Sequence, residues 1–212
     1  MADNRQAFHI MTHAFGPHEI VDRGSRFIAY LNPISNASTA ADFIAGLRKA
    51  RHDATHVCSA YRLRLERGEE CRYSDDGEPS GTAGLPIYNE LKRADLFNVA
   101  VAVVRYYGGV KLGTGGLTRA YGRVVRELLD RAPLQERLVT RSFRLQIPFD
   151  LTCAVLTLLK RQDVEISSRE YTAMGQDLEI QVPVDSLSTL SRALEDRSAG
   201  KIRLTEPGVE VP

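Results

Sequence analysis

Residues 96–129 of the chain read LFNVAVAVVRYYGGVKLGTGGLTRAYGRVVRELL, and three local patterns follow one another in them. The apolar, β-branched run up to Val104 is typical of a central strand that is covered on both faces. Five glycines follow between Gly108 and Gly116, a density that is costly unless the backbone bends sharply or approaches something closely. The remainder predicts a helix with one apolar stripe, made of Leu117, Ala120, Tyr121, Val124, Val125, Leu128 and Leu129. The stretch therefore predicts a buried strand, a tight turn and an amphipathic helix.

The glycine turn has two interpretations. Backbone amides at the start of a helix favour negative charge, and Lys111 and Arg119 would add positive charge nearby. The stretch from Leu96 to Arg126 has five basic residues and no acidic one, although the net charge of the chain is only +1. In the other interpretation, glycine only permits positive φ angles and close packing of the helix. The spacing fits neither a P-loop nor GxGxxG. The phosphate or nucleic-acid interpretation involves Arg105, Tyr106, Gly108, Gly109, Lys111, Gly113, Thr114, Gly115, Gly116 and Arg119.

A second motif, SDDGEPSGT at residues 74–82, concentrates carboxylates in one loop. Asp75 and Asp76 are candidates for holding Mg²⁺ beside a phosphate, because that ion prefers oxygen ligands. The alternatives are a catalytic carboxylate, or a turn whose side chains accept backbone hydrogen bonds and cap the next helix. The residues that would line a site here are His56, Ser74, Asp75, Asp76, Glu78, Ser80 and Thr82. The capping turn is preferred to metal binding here, and His56 is expected to be a structural or site-lining histidine rather than a metal ligand.

Tyr106 and Tyr107 follow Arg105 directly and could stack nucleic-acid bases while the arginine contacts phosphate. Consecutive side chains of a strand face opposite ways. At most one of the two tyrosines is therefore expected on the surface of Arg105, with the other in the core.

The chain of 212 residues fits an α+β protein of two domains. Composition changes at DRAPLQERLVTRS, where Pro133 is expected to end a helix and the charged residues to form a linker. We place the boundary there, giving domains 1–134 and 135–212. The sequence of the second domain predicts the order strand, helix, strand, strand, helix, strand, with the last strand at residues 201–206. This βαββαβ order is that of a ferredoxin-like unit.

Other local signals concern the first domain. The segments around Arg23 and Gly24 predict a hairpin, and a second turn is expected at Arg67 and Gly68. Residues 56–65 alternate like a strand with one buried face. Helices are expected to begin after a cap at Ser38 or Thr39, with Ala41, Ile44 and Leu47 on the buried face, and at Gly81 or Thr82.

The composition excludes several classes of protein. The longest apolar run, of about seven residues, is far shorter than the ~20 that a membrane span needs. The first ten residues, MADNRQAFHI, have no signal-peptide pattern, so we expect a cytoplasmic protein. Three cysteines without CxxC spacing predict reduced, packed thiols rather than disulfides or zinc ligands.

The segments GSRFIAYL, DATHVCSAYRL, SDDGEPSGTAGLPI and NVAVAVVRYYGGVKLGTGGLTRAYGRV resemble the signature of the IMPACT family. They cover most of residues 24–129, and the C-terminal domain is similar to the small one that bacterial members have. The resemblance implies an N-terminal fold like that of a small-subunit ribosomal protein domain, ribonuclease PH and domain IV of elongation factor G. It implies a C-terminal domain like domain V of the same factor. Its motif residues include most of the two candidate sites and add Gly77, Pro79, Gly81, Gly84, Leu117 and Tyr121. Ser80, Lys111 and Arg119 are not among them, so the role of Lys111 and Arg119 rests on the local charge argument alone.

Eukaryotic members of this family are linked to translational control through an extra N-terminal domain, so their partner interaction is not carried over to this chain. The resemblance favours a non-enzymatic, translation-associated regulator that binds RNA or the ribosome through the glycine turn. An alternative is a Mg²⁺-dependent enzyme acting on a phosphorylated small molecule or a nucleic-acid end, with His56 assisting proton transfer. A third is an adaptor that binds a protein partner. The oligomeric state stays open.

Overall fold

The structure is a computed structural model that describes residues 7–65, 68–162 and 164–206. It is an α+β protein with antiparallel sheets, as the sequence predicted. The chain divides into two compact units: the first contains residues 8–137, and the second contains residue 7 together with the residues from 138 onward. Within the described residues, no helix is long and apolar enough to cross a membrane.

The first unit is built around one five-stranded sheet with the order β2-β3-β6-β4-β5, in which every neighbouring pair is antiparallel. A small two-stranded sheet is formed by β1 and β7. The elements in chain order are β1 (Ala7–Ile10), β2 (Phe15–Asp22), β3 (Ser25–Pro33), α1 (Ala37–Ala50), β4 (His56–Arg64), β5 (Glu69–Ser74), α2 (Gly84–Arg93), β6 (Val99–Tyr106), α3 (Gly113–Leu129) and β7 (Gln135–Leu138).

The central strand β6 is fully buried from Val99 to Val104, as its sequence predicted. Alternate side chains of a strand point to opposite faces. Val99, Val101 and Val103 pack into a core with α2 and α3, where the whole predicted stripe of α3 is buried. Ala100, Ala102 and Val104 face α1 on the other side. Helices therefore cover both faces of the sheet.

Several local expectations were wrong. β4 is buried on both faces because it lies next to β6 inside the sheet, whereas its alternating charges had predicted one exposed face. Helix α1 is capped by Asn36, whose side-chain oxygen accepts from the Thr39 amide while the Thr39 hydroxyl oxygen accepts from the Asn36 amide. Its inner face is formed by Ala40, Phe43 and Leu47. Helix α2 begins at Gly84, three residues after Gly81.

The predicted linker also contains regular structure, because residues 135–138 form β7 and pair with β1. The β2–β3 hairpin at Arg23 and Gly24 is confirmed. Of the expected turn at Arg67 and Gly68, Arg67 lies outside the described residues.

The second unit has a three-stranded antiparallel sheet of order β8-β10-β9 covered by two helices. Thr205 pairs with Arg144 of β8 as an isolated bridge, which places Thr205 on the side of β8 that does not pair with β10. The order matches that of a βαββαβ unit, but the expected strand at 201–206 is reduced to this bridge. The elements are β8 (Thr140–Pro148), α4 (Thr152–Arg161), β9 (Glu165–Tyr171), β10 (Gly175–Pro183) and α5 (Leu187–Ser198).

Candidate functional site

The acidic loop and the glycine turn lie at the same end of the five-stranded sheet. Antiparallel pairing puts Arg105, near the end of β6, opposite His56 at the start of β4 and Phe27 near the start of β3. The end of β5 lies there too, since Ser74 pairs with Ser59 of β4. We call these strand ends, with the loops around them, the site end of the sheet.

The first part of the glycine turn is held tightly to its neighbours. The Gly108 amide donates to Ser25 Oγ at 3.1 Å, and the Tyr107 amide donates to Thr55 Oγ1 at 3.0 Å. Gly108 lies so close to Gly24 that a Cβ atom would stand 1.9 Å from the Gly24 carbonyl carbon. Glycine is therefore needed here for close backbone approach, as one of the two interpretations predicted.

The second part of the turn is open. Gly109 and Gly113 have φ angles of +85° and +72° with free space where a side chain would be. Gly113, Thr114 and Gly115 are exposed in the first turn of α3. No described side chain caps this helix, and its first turn has no acidic residue. The first amides of a helix have no intrahelical partner, so these donors face outward.

Two cations flank this open helix end. Lys111 and Arg119 are exposed, and neither forms an ion pair with another residue in the described part of the chain. The Arg119 guanidinium lies 3.6 Å from where a Cβ of Gly115 would be. Gly116 is buried, and its own Cβ would stand only 2.9 Å from that of Leu112, so it packs rather than binds.

The other three of the five basic residues between Leu96 and Arg126 have their charge balanced by ion pairs. Arg123 pairs with Glu127 at 2.7 Å, and Arg126 pairs with Glu90 at 2.6 Å. Arg105, expected to contact phosphate, has only 7% of its side chain exposed and forms an ion pair with Glu78 at 2.5 Å. The structure thus gives Arg105 an internal role and leaves Lys111 and Arg119 as the free charges of the stretch.

Behind the turn lies a buried polar network. The Tyr121 hydroxyl donates to Glu78 Oε1 at 2.8 Å, and the Cys58 thiol donates to the Tyr121 oxygen at 3.3 Å. Burial raises the pKa of Cys58 to about 12, and burial also raises the pKa of Tyr121 far above its ordinary range. Both groups are therefore protonated donors at neutral pH, and the Cys58 thiol is poorly nucleophilic. Cys71 and Cys153, expected to be packed, are exposed free thiols.

Asp75 acts as the cap of the acidic loop and of α2. Its carboxylate accepts from the backbone amides of Gly81 at 2.8 Å, Ala83 at 2.9 Å and Gly84 at 2.8 Å. Burial by itself raises the pKa of Asp75, but these three hydrogen bonds outweigh burial and hold the pKa below its usual value of 3.8. This is the capping turn that was one of the sequence interpretations of the loop.

Asp76 connects the acidic loop to two elements, α1 and β4. Its carboxylate accepts the Val57 amide at 2.6 Å and pairs with Arg48 of α1 at 2.6 Å. Its carbonyl oxygen accepts from Nδ1 of His56 at 2.7 Å. The carboxylate oxygens that Mg²⁺ would need are thus already bound, and the described residues contain no cluster of three metal-ligating side chains.

The remaining predicted residues support these loops. Ser74 Oγ accepts the Asp76 amide at 3.3 Å, and Thr82 Oγ1 donates to the Pro79 carbonyl at 2.6 Å. Ser80 is exposed at the loop surface. Tyr106 is half-buried with its hydroxyl donating to Asp53 at 3.1 Å, whereas the Tyr107 side chain is 47% exposed.

Sequence reasoning missed two positioning side chains, Ser25 and Thr55, which hold the glycine turn. Each lies far from the turn in sequence and carries no motif of its own. Only the strand register brings them to it.

Fold and site together define a class of protein: a two-unit α+β chain with an open, cationic helix end next to an internally bonded acidic loop. The sequence model of the Impact N-terminal domain matches residues 23–129. The chain therefore belongs to the IMPACT family, as the resemblance indicated.

Individual relatives agree with this assignment. The Bacillus subtilis IMPACT family member YvyE is 46% identical over 126 residues, which are 59% of this chain and 58% of that protein. The Escherichia coli IMPACT family member YigZ is 33% identical over 181 residues, which are 85% of this chain and 88% of that one. A crystal structure of a hypothetical protein matches with a TM-score of 0.66 at 30% identity, covering 97% of this chain and all of that one.

Proposed function

We propose that this chain is a cytoplasmic, translation-associated regulator that binds RNA or the ribosome at the open amino end of α3. The observation that supports this most is the uncapped first turn, flanked by Lys111 and Arg119. Outward amides, the helix dipole and two unpaired cations together suit a phosphate group. Membership of the IMPACT family supports the link to translation.

The electrostatics of the site end also favour an anion. Of the three carboxylates in the acidic loop, Asp76 and Glu78 are each paired with an arginine, Arg48 and Arg105 respectively. Asp75 keeps its negative charge, which backbone amides hold in place by hydrogen bonds. When Lys111 and Arg119 are added, these side chains carry four positive and three negative charges, and the excess of positive charge favours binding of a phosphate.

The likeness of the two units to domains IV and V of elongation factor G, implied by the family resemblance, is part of this proposal. Because such domains work at the ribosome, the likeness favours ribosomal RNA as the target.

The proposal is tested by measuring binding to ribosomal subunits and to short fluorescent RNAs across a salt series. Each phosphate contact should lower the log of the affinity by about 0.7 per log unit of salt on single strands. The variant Lys111→Glu/Arg119→Glu should lose most of the binding and flatten this slope. The matched control is Lys160→Glu/Arg161→Glu, which changes the net charge equally at exposed positions of the second unit. Salt-insensitive binding, or equal losses in both variants, would contradict the proposal.

A second variant separates binding from stability. Thr114→Asp places a carboxylate at the exposed second position of α3, where it should stabilise the helix by about 0.3–1 kcal/mol. The same charge should repel phosphate and weaken RNA binding, while Thr114→Asn should keep it. A Thr114→Asp protein that still binds RNA like the wild type would place the phosphate elsewhere.

A further inference from the structure

We infer that the nucleic acid at the site end is single-stranded and that the ring of Tyr107 stacks on one of its bases, an inference that rests on the proposed function. Tyr107 lies directly between β6 and the glycine turn, and 47% of its side chain is exposed. An aromatic ring left this open beside a cradle of amides and cations provides a face for a base.

The ring is backed by a fixed cation. The Arg105 guanidinium lies 5.6 Å from the ring centroid of Tyr107, within the range of a cation–π contact. Arg105 is itself held by Glu78 and by Ser25, with Nη1 and Nη2 as the respective donors. Arg105 thus supports the ring of Tyr107 and is not itself a phosphate ligand.

The backbone of Tyr107 is also fixed. Its amide donates to Thr55 Oγ1, and the next residue, Gly108, is pressed against the β2–β3 hairpin. A ring on a rigid support loses little conformational freedom when a base stacks on it, so more of the stacking energy is available for binding.

Its neighbour shows the contrast. The hydroxyl of Tyr106 donates to Asp53, and the Arg26 guanidinium lies 5.5 Å from its ring centroid. Its side chain also packs beside Val104 and Val57 on the α1 side of the sheet. Of the two tyrosines that the sequence offered for stacking, the structure leaves Tyr107 available.

A single strand fits this arrangement better than a duplex. Stacking on an aromatic side chain requires an unstacked base, whereas the bases of a duplex are already stacked and paired with one another. Gly24, at the tip of the β2–β3 hairpin, contacts Gly108, the residue after Tyr107, and its neighbour Arg23 is exposed. Arg23 therefore adds a cation to this part of the surface, besides the open end of α3. Exposed aromatic rings within a basic surface are typical of proteins that bind single strands.

The experiment compares three fluorescent probes of about 12 nucleotides, a typical site size for such strands: single-stranded RNA, its duplex, and an abasic strand with the same phosphates. The full chain should bind the single strand at least about tenfold more tightly than either other probe, because only that probe offers a free base to stack. Tyr107→Ala should bind all three probes equally weakly, and Tyr107→Phe should behave like the wild type. Tyr171→Ala is the matched control, because it removes a tyrosine that is 73% exposed in the second unit. Unchanged thermal melting of each variant shows that the fold is intact.

The outcomes separate this inference from the proposed function. If the wild type binds RNA and Lys111→Glu/Arg119→Glu does not, but Tyr107→Ala binds normally or the duplex binds equally well, the inference alone is overturned. Equal losses in Tyr107→Ala and Tyr171→Ala would overturn it as well. If the wild type binds none of the probes and no ribosomal subunit, this inference and the proposed function are both overturned. A protein would then be the expected partner instead of RNA.

Discussion

Glu78 and Arg105 form the most deeply buried ion pair among the residues that the structure describes, with 3% and 7% of their side chains exposed. Such a pair contributes little net stability compared with apolar residues, but removing one partner leaves a buried charge uncompensated. Here Glu78 also accepts a hydrogen bond from the Tyr121 hydroxyl, and the Arg105 guanidinium lies over the ring of Tyr107. The acidic loop and the glycine turn are therefore connected through a single carboxylate.

Glu78→Ala should lower the free energy of unfolding by about 3–5 kcal/mol, because Arg105 stays buried without its partner. Glu78→Gln should cost less, since the amide oxygen still accepts hydrogen bonds. Urea unfolding followed by circular dichroism measures both. As a control, Glu19→Gln breaks the exposed pair with Arg26 and should leave the midpoint nearly unchanged. Equal effects at Glu78 and Glu19 would show that burial does not matter here.

Asp75 should contribute to the acid sensitivity of the protein. Its folded-state pKa lies below 3.8, so its contribution to stability is complete above the unfolded-state pKa and is lost as the pH falls through the folded-state value. Asp75→Asn should be less stable than the wild type at neutral pH by about 1–2 kcal/mol, and this gap should narrow below about pH 4. Urea midpoints from pH 3 to 7 test this. A gap that stays constant with pH would mean that the carboxylate charge has no part in capping.

At the scale of elements, the glycine turn combines close packing with an open helix end, which the sequence analysis had treated as alternatives. Gly108 permits close contact with the β2–β3 hairpin, whereas Gly113 and Gly115 leave the first turn of α3 open. Packing dictates glycine at positions 108 and 116, whereas Gly109, Gly113 and Gly115 are exposed. One turn thus positions α3 and presents its amino end.

Gly108→Ala should destabilise the first unit by about 3 kcal/mol or more, because its Cβ would overlap the backbone of Gly24. Gly115→Ala is the matched control. Its Cβ would meet only the end of the Arg119 side chain, at 3.6 Å, and alanine favours helix formation, so stability should be unchanged or slightly higher. Thermal melting distinguishes the two, and similar melting temperatures would contradict the close packing at Gly108.

At the scale of the whole molecule, the two units have separate apolar cores. The core of the second unit contains Leu145, Leu178 and Ile180, and the large core of the first contains the inward residues of β6. No residue is shared between these two clusters. Each unit therefore has the apolar interior that an independent cooperative unit needs.

Ile180→Ala should lower the stability of the second unit by about 2–5 kcal/mol, because it leaves a cavity in a fully buried position. Native-state amide exchange read by mass spectrometry should show faster exchange in β8, β9 and β10 and unchanged exchange in β6. Val103→Ala in β6 should give the reverse pattern. Uniform acceleration throughout the chain by either variant would show that the two units unfold as one.

The amino-acid pattern alone predicted the α+β class, the buried strand β6, the apolar stripe of α3, the β2–β3 hairpin and the family. These features depend on local periodicity and on short motifs, and both involve residues that are close together in the sequence. Only the tertiary structure decided that Arg105 is buried and that Asp75 and Asp76 are bonded internally. It also decided that Lys111 and Arg119 form no ion pair with any residue that the structure describes. The partners of Arg105 and Asp76 come from distant segments that strand register brings together. Which charges remain free therefore depends on the folded chain and not on the sequence nearby.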